Sequence, residues 1–278
     1  MKYVHEIRAQ HDESIKFVQM LLSQNMAPIR DFLLKQNRGP PLAAATKKRT
    51  IVLMDATGSM SSLLDKCKKT VQSMFEKVGT ILEAKNNDCS LELQFAVYRN
   101  YSSGPDLLLQ FSTWEANHKS LQTFMASIGV EGGQGNEAVE IGLWHVCQED
   151  AKCHVDQVLL IGDMPPNTAE EVAAKRNGYS KGYSGTRFAA STFYKDETAN
   201  LKQRGIVVNS FYVSGQCAEV AFKEIACATG GKSQPLDVNS DKGAEDLTNC
   251  VAIELLRNAG GQELVDEYKR VFMKGYTA

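Results

Sequence analysis

The sequence lacks a hydrophobic run long enough to cross a membrane. No apolar stretch approaches the roughly 18 residues that a spanning helix requires, and the opening residues, MKYVHE, do not form the apolar core of a secretory signal. Only seven cysteines occur, an odd number without a C-x-x-C pair, which is typical of reduced thiols. We therefore expect no membrane partner and a cytoplasmic protein, with the nucleus as a second location.

The chain also has little excess charge and few of the common catalytic signatures. Its formal net charge is −2, so it carries no general affinity for polyanions, which disfavours nucleic acid as a partner. No G-x-x-x-x-G-K-[ST] loop is present, and no G-x-S-x-G nucleophile turn. The sequence thus disfavours nucleotide hydrolysis and serine-type catalysis.

One polar segment follows directly on a buried strand pattern. Four apolar residues, 51 to 54, lead into Asp55, after which Thr57 and Ser59 follow at every second position before a helical pattern. In an extended loop these three side chains point the same way. A carboxylate and two hydroxyls suit a hard divalent cation. The alternative is that Thr57 or Ser59 caps the following helix.

Strand and helix patterns alternate along most of the chain. The strand patterns cover residues 51–54, 91–98, 107–111, 157–161, 206–213 and 232–238. This alternation predicts an α/β fold: a three-layer, doubly wound, mostly parallel sheet with one antiparallel edge hairpin strand, plus an N-terminal helical arm. We divide the chain into an arm and linker (1–48), the α/β domain (49–260) and a C-terminal helix packing on that domain (261–278).

Ligands of such sheets bind beyond the carboxyl ends of the strands. Three informative loops fall there, at residues 55–61, 132–136 and 162–167. The topology can bring Asp55 and Asp163 together, and two neighbouring carboxylates repel unless a cation lies between them. The order of the loops therefore supports the cation site that the first loop predicts.

These loops also carry a family resemblance. The matching motifs are D-x-T-x-S at 55–59, Y-R-N at 98–100, E-G-G-Q-G-N-E-A at 131–138, G-D-M-P-P at 162–166 and A-T-G-G at 228–231. In this order they resemble the intracellular branch of the von Willebrand factor A (vWA) domain family, whose metal-ion-dependent adhesion site has the pattern D-x-S/T-x-S. The resemblance spans roughly residues 50–255.

The resemblance implies a set of metal ligands and a function. Asp55, Thr57 and Ser59 would contact Mg²⁺, or Mn²⁺ or Ca²⁺, and Asp163 would reach the ion directly or through water. Gln134 stands where relatives have an acid, and it offers a carbonyl oxygen without charge. In the family, an open coordination position accepts an acidic side chain of a protein partner. We therefore expect a non-enzymatic protein-interaction module.

Residues 176–193 show neither a helix nor a strand period and are rich in glycine, tyrosine and basic residues. A loop of that length is either functional or simply solvated. Because the segment follows Asp163, we predict that Tyr179, Tyr183 and Arg187 contact the partner, with a solvated loop as the alternative.

Other functions remain open at this stage. A metal-dependent phosphoryl-transfer hydrolase would use Asp55 as the nucleophile, although Thr57 replaces the second acid of its D-x-D-x-T motif. A scaffold subunit with a degenerate metal site is a further alternative. A zinc site at His145, Cys147, Cys153 and His154 is disfavoured because their spacing matches no standard zinc motif.

Overall fold

The computed structural model describes residues 47–85, 87–133, 135–213, 217–237 and 243–273. The predicted arm over residues 1–46 and the predicted ligand Gln134 lie outside the described residues. Within the described ranges, no helix is both long and apolar enough to cross a membrane.

The described strands form one sheet. They are β1 (Lys47–Asp55), β2 (Ser90–Tyr98), β3 (Leu109–Phe111), β4 (Gln157–Gly162), β5 (Val207–Val213) and β6 (Ser233–Leu236). Their order across the sheet is β3-β2-β1-β4-β5-β6. All neighbouring strands pair in parallel except β3, which pairs antiparallel with β2 at the edge. The structure confirms the predicted mostly parallel sheet with one antiparallel edge strand.

Helices connect the strands. They are α1 (Ser61–Ala84), α2 (Pro105–Leu108), α3 (His118–Ser127), α4 (Val139–Asp150), α5 (Ala169–Gly178), α6 (Tyr194–Gln203), α7 (Glu219–Thr229), α8 (Gly243–Gly260) and α9 (Gln262–Phe272). Short 3₁₀ turns cover Gly58–Met60 and Tyr101–Ser103.

Two apolar cores lie on opposite faces of the sheet. Helices α1, α3, α8 and α9 bury their apolar side chains in one core, and α4 to α7 contribute to the other. The strands serve both cores because successive side chains alternate between faces. In β1, Val52 and Met54 enter the first core, whereas Ile51 and Leu53 enter the second. This is the three-layer arrangement that the sequence predicts.

Two local elements differ from the sequence-based prediction. Helix α5 was not predicted, yet Thr168 and Glu171 form a capping box at its start, with each side chain bonded to the other's backbone N–H. The strand expected over 107–111 is shorter, because Pro105 occupies the first turn of α2 and only residues from Leu109 onward pair with β2.

The sheet order places β1 between β2 and β4. The chain leaves β1 toward β2 and later returns to the other side of β1 as β4. The crevice beyond the carboxyl ends of β1 and β4 is therefore the topological switch point, where open α/β sheets bind ligands. Asp55 ends β1 and Asp163 follows β4 directly.

Candidate metal centre

Asp55 is fully buried at the carboxyl end of β1. Its Oδ1 accepts a hydrogen bond from the backbone N–H of Thr57 at 2.7 Å, which fixes the carboxylate against the loop that it opens. Its Oδ2 is also buried and has no hydrogen-bond partner. A buried carboxylate oxygen without a partner is costly, so this atom marks a position that a ligand would stabilise.

The hydroxyls of Thr57 and Ser59 converge beside this carboxylate. Their oxygens lie 3.3 Å apart. Neither hydroxyl caps a helix, since the 3₁₀ turn that Thr57 precedes and α1 after it both begin without a side-chain cap. The capping alternative is therefore wrong for both residues. Thr57 is buried and Ser59 is exposed, so the pair joins the buried carboxylate to the surface.

Asp163 lies next to Asp55 across the β1–β4 pair. Burial raises the pKa of the Asp55 carboxyl to about 7; the Thr57 backbone N–H opposes this rise, and the neighbouring Asp163 carboxyl adds to it. Asp163 is itself buried, and its Oδ1 has no partner. Two buried carboxyl groups share one end of the sheet, and each has an oxygen that accepts nothing.

A third acid, Glu137, lies near this pair, and the sequence reasoning gave it no role. Burial raises the pKa of Glu137 to about 8, with further contributions from Asp55 and Asp163, while Lys175 lowers it. Its backbone is fixed by hydrogen bonds to the β4–α5 loop, from its N–H to Pro165 and from the N–H of Asn167 to its carbonyl. In the sequence, the signal that could have identified Glu137 was the Glu-Ala pair that ends the 131–138 motif.

The glycine-rich loop before Glu137 packs directly on the Asp55 loop. Gly58 donates its N–H to the carbonyl of Gly132 at 3.1 Å. Gly133 has φ +101°, and a Cβ there would lie 2.9 Å from the Cβ of Thr57 and 3.1 Å from Oε1 of Glu137. Only glycine fits this approach. The loop therefore fixes the spacing between Thr57 and Glu137.

Asn100, the last residue of the Y-R-N motif, has a structural role. Its Oδ1 accepts the N–H of Tyr101, and its Nδ2 donates to the carbonyl of Asn136. Arg99 beside it bonds through its guanidinium to the carbonyls of Leu107 and Gly129. This pair holds the glycine-rich loop in place.

The residues present fit a divalent cation. The vWA-type pattern implies such an ion, and Oδ2 of Asp55 and Oδ1 of Asp163 are buried acceptors that a cation could satisfy. Within the described ranges, no three His, Cys, Asp or Glu side chains form a metal cluster by themselves. The candidate set is instead mixed: Asp55 and Asp163 as acids, with Thr57 and Ser59 as hydroxyls.

The three residues predicted to contact a partner lie in different environments. Tyr183 is buried, and its hydroxyl donates to the carbonyl of Tyr101 at 2.6 Å, which gives it a structural contact, while its contact with a partner stays a prediction. Arg187 is exposed, and its guanidinium donates to the carbonyl of Leu109 in the edge strand. Tyr179 is half-buried at the end of α5.

Solved structures with a similar fold include those of two proteins. A von Willebrand factor type A protein from Catenulispora acidiphila superposes with a TM-score of 0.51 over 76% of this chain, at 10% identity. The pilus adhesin SpaC from Lactobacillus rhamnosus GG, in its open conformation, gives 0.52 over 78% of this chain at 13% identity. The chain has a vWA-like fold.

This similarity rests on structure alone. No protein-family model matches the sequence, and no curated protein matches it. The chain spans 43% of the Catenulispora protein and 31% of the adhesin, so it corresponds to less than half of either. The similarity shows the fold alone, so any ligand or partner has to be argued from the site.

Proposed function

We propose that this vWA-like domain binds a divalent cation between Asp55 and Asp163 and, through that ion, an acidic side chain of a partner protein. The observation that carries the proposal is the buried carboxyl pair with one unpartnered oxygen on each residue. The ion is Mg²⁺, with Mn²⁺ and Ca²⁺ as alternatives, because carboxylate and hydroxyl oxygens are hard ligands.

The environment explains why the ion would accept an external acid. Asp55 and Thr57 are buried, whereas Ser59 is exposed, so one side of the candidate site faces the solvent. Because the protein supplies few metal ligands, some coordination positions of the ion stay open for water or for a group of the partner. A carboxylate from a partner would complete the shell with a negatively charged oxygen, which a cation prefers to neutral water.

We propose a binding role rather than an enzymatic one. Oδ1 of Asp55 is held by the Thr57 N–H and the whole side chain is buried, which places it poorly for attack on a phosphorus atom. We also propose a cytoplasmic or nuclear location, on the grounds of the cysteine usage.

Calorimetric titration of Mg²⁺, Mn²⁺ and Ca²⁺ into metal-free protein tests the cation site. Saturable binding that is lost in Asp55→Asn and in Asp163→Asn supports it, whereas a wild-type protein that binds none of the ions refutes it. Release of phosphate from p-nitrophenyl phosphate in Mg²⁺, abolished by Asp55→Asn, would instead favour the hydrolase.

A further inference from the structure

Two adjoining cavities lie beside the candidate metal centre, and we call them the basic cavities. The first has a volume of about 520 Å³ and is lined by Asn100, Ser102, Lys175, Gly178, Tyr179 and Ser180. The second, of about 490 Å³, shares Tyr179 and Ser180 with the first and adds Arg176 and Lys181. Tyr179 and Ser180 form the wall that the two cavities share, and we treat the two as one depression.

The charge of this depression is of one sign. No aspartate or glutamate lines either cavity. Residues 172–193 contain four basic residues and no acidic one, in a chain whose net charge is −2. Clustered positive charge with hydroxyl donors from serine and tyrosine is the chemistry that holds anionic oxygens.

The basic side chains are held in position by the fold. The guanidinium of Arg176 lies 5.0 Å from the ring centre of Tyr183 and 5.8 Å from that of Tyr101, and it donates to the carbonyl of Ala189. Lys175 donates to the carbonyl of Asn136, next to Glu137. The charged groups of Arg176 and Lys175 are therefore held in place beside the candidate metal centre by contacts within the fold.

Gly132 lies between the first cavity and the loop over residues 55–61, which we call the metal loop. A Cβ on Gly132 would lie 3.6 Å from Oγ of Ser102, which lines the first cavity. On its other side, the carbonyl of Gly132 accepts the N–H of Gly58 in the metal loop at 3.1 Å. The two sites therefore adjoin across Gly132, which places them within the reach of a few residues of extended peptide.

Resting on the proposed function, we propose that the basic cavities bind a second acidic side chain of the same protein partner. The docking segment is then an extended peptide with two acids, one on the cation and the other, two to four residues away, in the basic cavities. A polyphosphate chain fits less well, since the net charge of −2 gives the protein no general affinity for polyanions.

Labelled peptides of nine residues test the proposal by fluorescence anisotropy in Mg²⁺. One peptide has a single glutamate among glycine and serine, and the others add a second glutamate two, three or four residues away. We expect the best two-acid peptide to bind wild type about fivefold more tightly than the single-acid peptide, as one well-placed ion pair provides. Lys181→Glu and Ser180→Glu should remove that advantage. Lys202→Glu, a reversal at an exposed lysine of α6 that lines neither cavity, should keep it.

The outcomes separate this inference from the proposed function. Equal affinity for one-acid and two-acid peptides, or an advantage that survives Lys181→Glu and Ser180→Glu, overturns the second site while metal-dependent docking stands. Binding that persists in EDTA and disappears in Lys181→Glu supports the basic cavities but refutes docking through the metal. An eight-nucleotide oligothymidylate that binds more tightly than every peptide overturns the choice of a protein partner.

Discussion

The carboxyl group of Asp163 lies close enough to that of Asp55 to raise its pKa, and each residue keeps one buried oxygen without a hydrogen-bond partner. Such a pair is stable when it shares a proton or holds a cation, and unfavourable when both groups are charged and nothing lies between them. Binding of a metal ion, binding of a proton and the stability of the protein are therefore linked at this pair of carboxyl groups.

Asp55→Asn should stabilise the metal-free protein and remove its response to Mg²⁺. The amide keeps the Oδ1 acceptor for the Thr57 N–H and removes a buried charge beside Asp163. We expect the melting temperature in EDTA to rise by about 2 to 4 °C, which corresponds to about 1 kcal/mol. Thermal scans with and without about 5 mM Mg²⁺ provide the measurement, because a concentration on that order would saturate a site of moderate affinity.

Asp88→Asn is the matched control for that substitution, because Asp88 is exposed in the turn before β2, at the opposite end of the sheet. It should change neither the melting temperature in EDTA nor the rise on adding Mg²⁺. A wild-type protein whose melting temperature ignores Mg²⁺, or an Asp55→Asn variant that still responds to it, contradicts the assignment.

The metal-free protein should lose stability as the pH rises from 6.5 to 8.5. Burial raises the pKa of Asp55 and Glu140 to about 7 and that of Glu137 to about 8, so the folded state holds protons that the unfolded state has already released. The unfolded state therefore binds fewer protons, and the free energy of unfolding falls with pH until these groups are charged in both states.

The window from pH 6.5 to 8.5 avoids the titration of His145, which would change the stability with pH in the opposite direction. Burial lowers the pKa of His145 to about 4, which destabilises the protein only below about 6.5, where the unfolded histidine takes up a proton. Urea titrations in EDTA at four pH values give the slope. Saturating Mg²⁺ should flatten it, because the ion compensates the charges, and Asp55→Asn should reduce it without Mg²⁺. A stability that rises with pH in EDTA would contradict the burial of these acids.

The sequence predicted the sheet, and the convergence of the Asp55, Thr57 and Ser59 oxygens, because both depend on local patterns. Apolar strands, helix periods and the Asp55-x-Thr57-x-Ser59 alternation all act within a few residues, and the structure places these oxygens together at the switch point. The role of Glu137 could not be read in this way. Its proximity to Asp55 depends on a turn of glycines with positive φ, which no periodicity encodes.

The orientation of the tyrosines in the 176–193 segment could not be predicted for a similar reason. Glycine and tyrosine indicated a loop, but whether a tyrosine in a loop points inward depends on what lies beneath it. Tyr183 finds the carbonyl of Tyr101 and the ring of that residue, with ring centres 5.5 Å apart, and becomes part of the core. Tyr179, four residues earlier, stays half-buried in the wall of the basic cavities.

Glu137→Gln should weaken Mg²⁺ binding without abolishing it. Asp55 is close enough to Glu137 to raise the pKa of the Glu137 carboxyl, yet Glu137 forms no cluster of three acids with Asp55 and Asp163 in the described ranges. It therefore acts on the ion through its charge at a distance, and we expect a loss of affinity of about threefold to tenfold, the effect of about 1 kcal/mol. Calorimetry measures it against Asp55→Asn, which should bind no ion. A complete loss in Glu137→Gln would instead make it a direct ligand.

Gly133→Ala and Gly135→Ala separate the packing of the glycine-rich loop from its backbone conformation. Both glycines have positive φ, +101° and +71°, so alanine strains the backbone at either position by about 1 to 2 kcal/mol. A Cβ on Gly135 meets nothing within 4 Å, whereas one on Gly133 would lie 2.9 Å from the Cβ of Thr57. Urea denaturation should therefore show a larger loss for Gly133→Ala than for Gly135→Ala.

The same pair tests whether that packing matters for the ion. To accommodate a methyl group at position 133, Thr57 has to move, and its hydroxyl would move away from that of Ser59, 3.3 Å from it. We therefore expect Gly133→Ala to lose its thermal response to Mg²⁺ at a temperature where it is still folded, and Gly135→Ala to keep it. Equal responses in the two variants would show that the position of Thr57 is not what the glycine-rich loop contributes to the candidate site.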